Sequence, residues 1–275
     1  MHRPGAAQRR ALVENAAAAV TSQTWASGSG RKPPIGRTTI LAGPDEKAFE
    51  ISSLRFSWPG QRKAVLSIDH LELARGERLF LRGPSGSGKS TLLSALAGVI
   101  EIGVGQVHVS GKDIGKLKGS ARDQFRGDKI GMIFQLFNLI PWLSPLENVL
   151  LPCRFSRRRR DRAGADPAAT ARRLLVELGL TDPALHVSPS ISLSVGQQQR
   201  VAAARALIGA PDLILADEPT SALDDGAKGQ FVDLLDRECA AVGAALLFVS
   251  HDRGLEAHFD RVIDIAEINM ARPHC

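Results

Sequence analysis

A chain of 275 residues, 44% hydrophobic and 23% charged, is long enough for one mixed α/β core with subdomains and too apolar for a disordered protein. Its strongest apolar runs, residues 213–216 and 244–249, are strand-sized and far short of a bilayer span. Much of the net charge of +6 falls in residues 1–47, and the three cysteines, Cys153, Cys239 and Cys275, are scattered without metal-ligand spacing, which suits a reducing compartment.

Residues 1–47, rich in Ala, Gly, Ser, Pro and Arg and without durable periodicity, are expected to be a disordered basic extension. Glu14 and Asn15 interrupt its only candidate for a signal-peptide core. Contact with anionic lipid and a start codon placed too far upstream are both open explanations for it. Residues 48–268 are expected to be the folded unit and 269–275 a short tail.

The first predicted strand of functional interest is Leu79-Phe80-Leu81, and it runs into Gly83-Pro84-Ser85-Gly86-Ser87-Gly88-Lys89-Ser90-Thr91. This spacing is a phosphate-binding loop. Gly83, Gly86 and Gly88 let successive N–H groups turn inward at phosphate oxygens. A helix is predicted from about Lys89, with Leu92, Leu93 and Leu96 facing inward and its positive dipole end aimed at the same anion. Lys89 is placed to reach the β- and γ-phosphates and Ser90 to ligate Mg²⁺.

Arg154, the four arginines 157–160 and Arg162 form the densest charge in the chain and read as a solvated loop, with attraction to anionic headgroups as the alternative. No aromatic residues interleave with them, so no specific nucleic acid is expected. Asp166-Pro167 then reads as an N-cap and a first-turn proline, and Ala171, Leu174, Leu175 and Leu178 form an apolar stripe ending at Gly179. Leu213-Ile214-Leu215-Ala216-Asp217-Glu218 reads as a buried parallel strand that delivers two carboxylates at its carboxyl end. Asp217 is expected to hold Mg²⁺ and Glu218 to polarise the attacking water.

Further segments narrow the class. Residues 193–200, Leu-Ser-Val-Gly-Gln-Gln-Gln-Arg, resemble the signature motif of ATP-binding cassette (ABC) proteins. Gln135 after Ile133-Phe134 resembles the Q-loop, Ser221-Ala222-Leu223-Asp224 the D-loop, and His251 after Phe248-Val249-Ser250 the switch histidine. With the phosphate loop and the Asp217 strand, these motifs stand in the family's order.

The resemblance implies an α/β P-loop NTPase fold, the ABC nucleotide-binding domain, with an antiparallel β subdomain and an α-helical subdomain inserted at about 136–208. It implies ATP and Mg²⁺ as cofactors, with Ser90, Gln135 and Asp217 about the metal. It also implies a head-to-tail homodimer in which Ser194, Val195, Gly196 and Gln197 reach the γ-phosphate held by the opposite subunit. His251 then contacts the γ-phosphate and holds the water beside Glu218, Gln135 couples the site to a membrane partner, and Asp224 reports across the interface.

Three departures from the family pattern stand out. Val195 takes a place where Gly is usual, at little cost if its φ is negative and with strain if it is positive. The 189–192 loop is one residue longer than usual. The chain has no Tyr, and Trp58, in Phe56-Ser57-Trp58-Pro59-Gly60, stands where relatives often stack adenine on Tyr.

The segment after Gln135, with Phe137, Leu139, Ile140, Pro141, Trp142, Asn148 and Val149, is similar to that of the lipoprotein-releasing and macrolide-exporter ATPases. In that group the surface over 137–148 receives a separate membrane permease. A cytoplasmic subunit, peripheral on the inner face of the membrane, is therefore expected. The contrasting possibility is a soluble ABC ATPase acting on nucleic acid or ribosomes, a class that usually carries tandem cassettes or long coiled coils.

Overall fold

The computed structural model describes residues 47–61 and 63–271, so the expected extension up to residue 46 lies outside it. Lys47, assigned above to that extension, opens a strand. In chain order the strands are Lys47–Phe56 (β1), Leu66–Ala74 (β2), Arg78–Arg82 (β3), Val107–Val109 (β4), Lys112–Asp113 (β5), Ile130–Ile133 (β6), Leu213–Asp217 (β7), Ala245–Val249 (β8) and Arg261–Asp264 (β9). The α-helices are Lys89–Leu96 (α1), Gly119–Lys129 (α2), Pro145–Phe155 (α3), Arg157–Arg162 (α4), Pro167–Glu177 (α5), Val195–Leu207 (α6), Asp225–Val242 (α7) and Ile265–Ile268 (α8).

Two sheets result. The central one, in the order β6-β7-β8-β3-β9, is parallel, and the other, β2-β1-β4-β5, is antiparallel. Continuous apolar runs suit the central strands because both faces are covered. Along β7, Leu213 and Leu215 join a core with the antiparallel sheet and α1, while Ile214 and Ala216 join a second core with α3, α5, α6 and α7. On β3 and β8, Phe80 and Phe248 meet within the second core as stacked rings 5.9 Å apart.

The helices obey local rules. Asp166 accepts from Ala168 N and Ala169 N to cap α5, and Ala171, Leu174, Leu175 and Leu178 are buried along the expected stripe. Ser144 and Glu147 form a reciprocal capping box on α3 ahead of Pro145.

The arginine run differs from the solvated loop expected of it. It forms α4, capped by Ser156, with Arg159 buried and donating to the Ala206 carbonyl at 2.6 Å. The neighbouring Arg158 and Arg162 are gathered by a buried acid. Asp212 takes ion pairs from Lys129 at 2.6 Å, Arg158 at 3.0 Å, Arg162 at 3.2 Å and Arg75 at 3.7 Å, and accepts from Ser110 Oγ at 3.1 Å. This carboxylate ties the antiparallel sheet, the central sheet and α4 together.

Parallel strands bring their following loops to one edge of the sheet. The phosphate loop follows β3, Gln135 follows β6, Glu218 follows β7 and His251 follows β8.

Candidate nucleotide-binding and catalytic site

The phosphate loop begins where β3 ends. Gly86 and Gly88 have φ of 78° and 99°, a region L side chains avoid, and a Cβ at Gly88 would stand 3.1 Å from the Val65 carbonyl. Gly88 is the N-cap of α1, so the turn and the helix start are one feature. Leu92, Leu93 and Leu96 are buried as the helical spacing requires. Lys89, itself buried, folds back so that Nζ donates to the Gly83 and Pro84 carbonyls, each at 2.8 Å.

Around this loop lies a cleft of about 770 Å³. Trp58, Gly83, Ser85, Gly86, Gly88, Lys89, Ser90 and Thr91 line one part of it, and Gln135, Asp217, Glu218 and His251 line another. Pro84 and Ser87 are joined to each other, Ser87 Oγ donating to the Pro84 carbonyl at 2.7 Å. Trp58 is 40% exposed, lines the cleft and packs against Phe56 in a T-shaped pair with centroids 5.1 Å apart.

Two carboxylates leave β7 in different ways. Burial pushes the Asp217 carboxyl above its usual range, against the lowering effect of a hydrogen bond from Ser90, and the neighbouring Glu218 charge raises it further. Glu218 has φ 46°, unusual for a residue with a side chain, and its N–H donates to the Val249 carbonyl at 2.9 Å. This left-handed step turns its carboxylate onto His251, whose Nδ1 lies 3.0 Å from both carboxylate oxygens.

The signature residues are elsewhere. Ser194 caps α6, accepting from Gln197 N at 3.3 Å while Gln197 Oε1 accepts from Ser194 N at 2.9 Å, and none of residues 194–197 lines the cleft. Val195 is the first helical residue, with negative φ, so its branched side chain brings no backbone strain. A Cβ on Gly196 would touch Leu223 Cδ2 at 3.3 Å, which places the D-loop beside the signature. Asp224 caps α7, accepting from Ala227 N at 2.9 Å.

The apolar segment after Gln135 divides. Leu136 and Trp142 are among the most exposed large apolar side chains, whereas Phe137 and Leu139 pack against the helical core and so are only in part a free surface. Sequence reasoning missed Gln61 and Val65, which also line the cleft. It also left Asn269 in a tail. Asn269 Nδ2 donates to the Val65 and Ser87 carbonyls at 3.0 and 3.2 Å, and its Oδ1 accepts from Ser67 N, so it steadies the phosphate loop. No local motif marks Asn269; only the return of β9 beside β3 and of α8 beside β2 brings it there.

Glycine-cradled N–H groups, a buried lysine and two acids at the carboxyl edge of a parallel sheet define a P-loop nucleoside triphosphatase. A family model described as "ABC transporter" matches residues 66–221. The chain belongs to the ABC transporter family, as its ATP-binding ATPase component.

Among its relatives, the lipoprotein-releasing system ATP-binding protein LolD of Syntrophotalea carbinolica is 40% identical over 75% of this chain and 88% of its own length. The macrolide export ATP-binding/permease protein MacB of Chromobacterium violaceum is 39% identical over 79% of this chain, but that match is 33% of the longer protein. A solved dimer of the ATP-binding cassette MJ0796 bound to ADP and Pi has a TM-score of 0.66 and 31% identity, covering 80% of this chain and 94% of that one.

Proposed function

We propose that two copies of this chain close head to tail on two ATP molecules and drive a separate membrane permease. The observation that carries this reading is the distance between functions within one chain. The cleft holds the phosphate loop, Gln135, Asp217, Glu218 and His251, while Ser194 opens α6 outside it. A second copy facing the first would supply the missing wall of each site, and the related MJ0796 cassette was solved as a dimer.

Within each site the residues divide the work. Trp58 stacks the base, and the loop N–H groups with Lys89 hold the phosphates. Ser90, Asp217 and Gln135 offer hard oxygen donors, and the contact between the Ser90 hydroxyl and Asp217 fits a shared Mg²⁺. Bound there, the metal would neutralise charge on the β- and γ-phosphate oxygens. Glu218 accepts a proton from the attacking water, and His251, held against that carboxylate, contacts the γ-phosphate. Asp224, next to the signature, senses the opposite nucleotide.

No helix among the described residues is long and apolar enough to cross a membrane. The exposed Leu136 and Trp142 flank the segment that faces the permease on the cytoplasmic side. The LolD and MacB relatives are named for lipoprotein release and macrolide export, which supports a lipophilic, lipoprotein or peptide cargo for this chain.

The test is ATP hydrolysis by wild type and Glu218→Gln, with size-exclusion chromatography in ATP and affinity capture from membranes. The expected result is a Glu218→Gln protein that does not turn over, dimerises with ATP and brings down a multi-spanning protein. Capture of ribosomes or DNA instead would overturn the transport reading.

A further inference from the structure

The turn that follows Gln135 is held by a residue that the function above does not use. Phe137 and Asn138 are consecutive left-handed residues, with φ of 56° and 49°. Such a pair is disfavoured for residues with side chains and persists only where its surroundings fix it. Arg205, in the last turn of α6, does so. Its Nη1 donates to the Asn138 carbonyl and its Nη2 to the Phe137 carbonyl, both at 2.5 Å. Burial pushes this guanidinium down to about 10, and two carbonyl dipoles offset the cost of its desolvation.

A second tie lies at the other end of α6. Asn148, fully buried on α3, accepts from Ile140 N at 2.8 Å and donates to Ser190 Oγ at 3.0 Å. Ser190 N donates to the Leu143 carbonyl at 2.9 Å and Ile191 N to the Pro141 carbonyl at 3.0 Å. The segment carrying Gln135 is therefore fastened to α6 at its C-terminal turn, through Arg205, and just before its N-cap Ser194, through Ser190.

This arrangement joins two different sites. Gln135 lines the chain's own cleft, whereas Ser194, at the far end of the same rigid helix, stands outside it. We propose that Arg205 is a positioning residue, a latch that makes Gln135 at one ATP and Ser194 at the other move together, so that the two ATP sites of the dimer act cooperatively. The latch rests on the head-to-tail arrangement proposed above. Without Arg205 the 137–138 turn loses its bidentate hold and only the tie through Asn148 and Ser190 remains, so the coupling between the two sites weakens.

The experiment is steady-state hydrolysis against ATP concentration for the full chain, wild type beside Arg205→Ala and Arg205→Lys, with ATP-dependent dimerisation measured in a Glu218→Gln background. Wild type should be sigmoidal, with a Hill coefficient above about 1.5 where two sites set the ceiling. Arg205→Ala should fall clearly below wild type, towards 1, with kcat at saturating ATP reduced less than about threefold. Arg205→Lys, able to reach one carbonyl, should lie between, and it carries the test if melting shows Arg205→Ala to be unfolded.

A merely structural arginine would lower the melting temperature and kcat and leave the Hill coefficient alone, and that result overturns the latch. A wild type that dimerises on ATP yet hydrolyses it hyperbolically also overturns it. A protein that neither dimerises nor shows cooperativity overturns the head-to-tail reading itself, which is a separate failure.

Discussion

His251 Nδ1 lies equally close, 3.0 Å, to the two carboxylate oxygens of Glu218. A carboxylate only accepts, so Nδ1 carries the proton in this contact and Nε2 is left as the acceptor nitrogen. The pair is one unit joined by the left-handed φ of Glu218, and its members should fail together. Glu218→Gln should lower kcat at least ~100-fold and His251→Ala by a similar order, while the double variant costs little more than Glu218→Gln alone. Additive losses in single-turnover hydrolysis would show that the two act separately.

Trp58 is tested by binding. Its indole packs edge-on against Phe56 and lines the cleft without being enclosed. Loss of one stacked aromatic costs about 1–3 kcal/mol by the precedent of base stacking, so Trp58→Ala should weaken ATP binding by roughly tenfold or more. The melting temperature without nucleotide should hardly change. A protein that melts many degrees lower, with ATP affinity intact, would mean that Trp58 serves packing and not the base.

Much of this was legible from local chemistry. The phosphate loop, the α5 cap at Asp166 and the apolar β7 and β8 runs each announce themselves within ten or so residues, because glycine conformation, N-capping and strand burial are local effects. What was not legible depends on distant partners. Arg158 and Arg162 of the arginine run turn towards Asp212, about fifty residues later in the chain. Asn269 reaches the phosphate loop through the placement of β9 and α8, and the bidentate grip of Arg205 on the Phe137 and Asn138 carbonyls follows from helix packing that no spacing rule encodes.

Val195 shows how a departure from the family pattern can be read once φ is known. It opens α6 in an ordinary helical conformation with its side chain about half exposed, 48%. Restoring the usual glycine relieves no strain and removes only a side chain at the expected dimer face. Val195→Gly should therefore change turnover by less than about tenfold. Steady-state kinetics would refute this by showing activity appearing only in the glycine variant.

Asp212 supplies the pH prediction. Burial by itself would raise this carboxyl, yet Lys129, Arg158 and Ser110 outweigh burial and hold it below the usual carboxylate range. A folded value below the unfolded one means that the stabilisation is complete above the ordinary range, near pH 4, and is lost as pH falls through the lower folded value. Asp212→Asn removes the charge that gathers Arg75, Lys129, Arg158 and Arg162. These cations reach water, so the loss should be about 2–3 kcal/mol at neutral pH, below the usual cost of breaking a fully buried pair. Melting temperatures from pH 7 down to pH 3 should show wild type falling towards the variant as the acid protonates. Two curves that stay parallel over that interval would mean that Asp212 stabilises the fold through its shape and hydrogen bonds, and not through its charge.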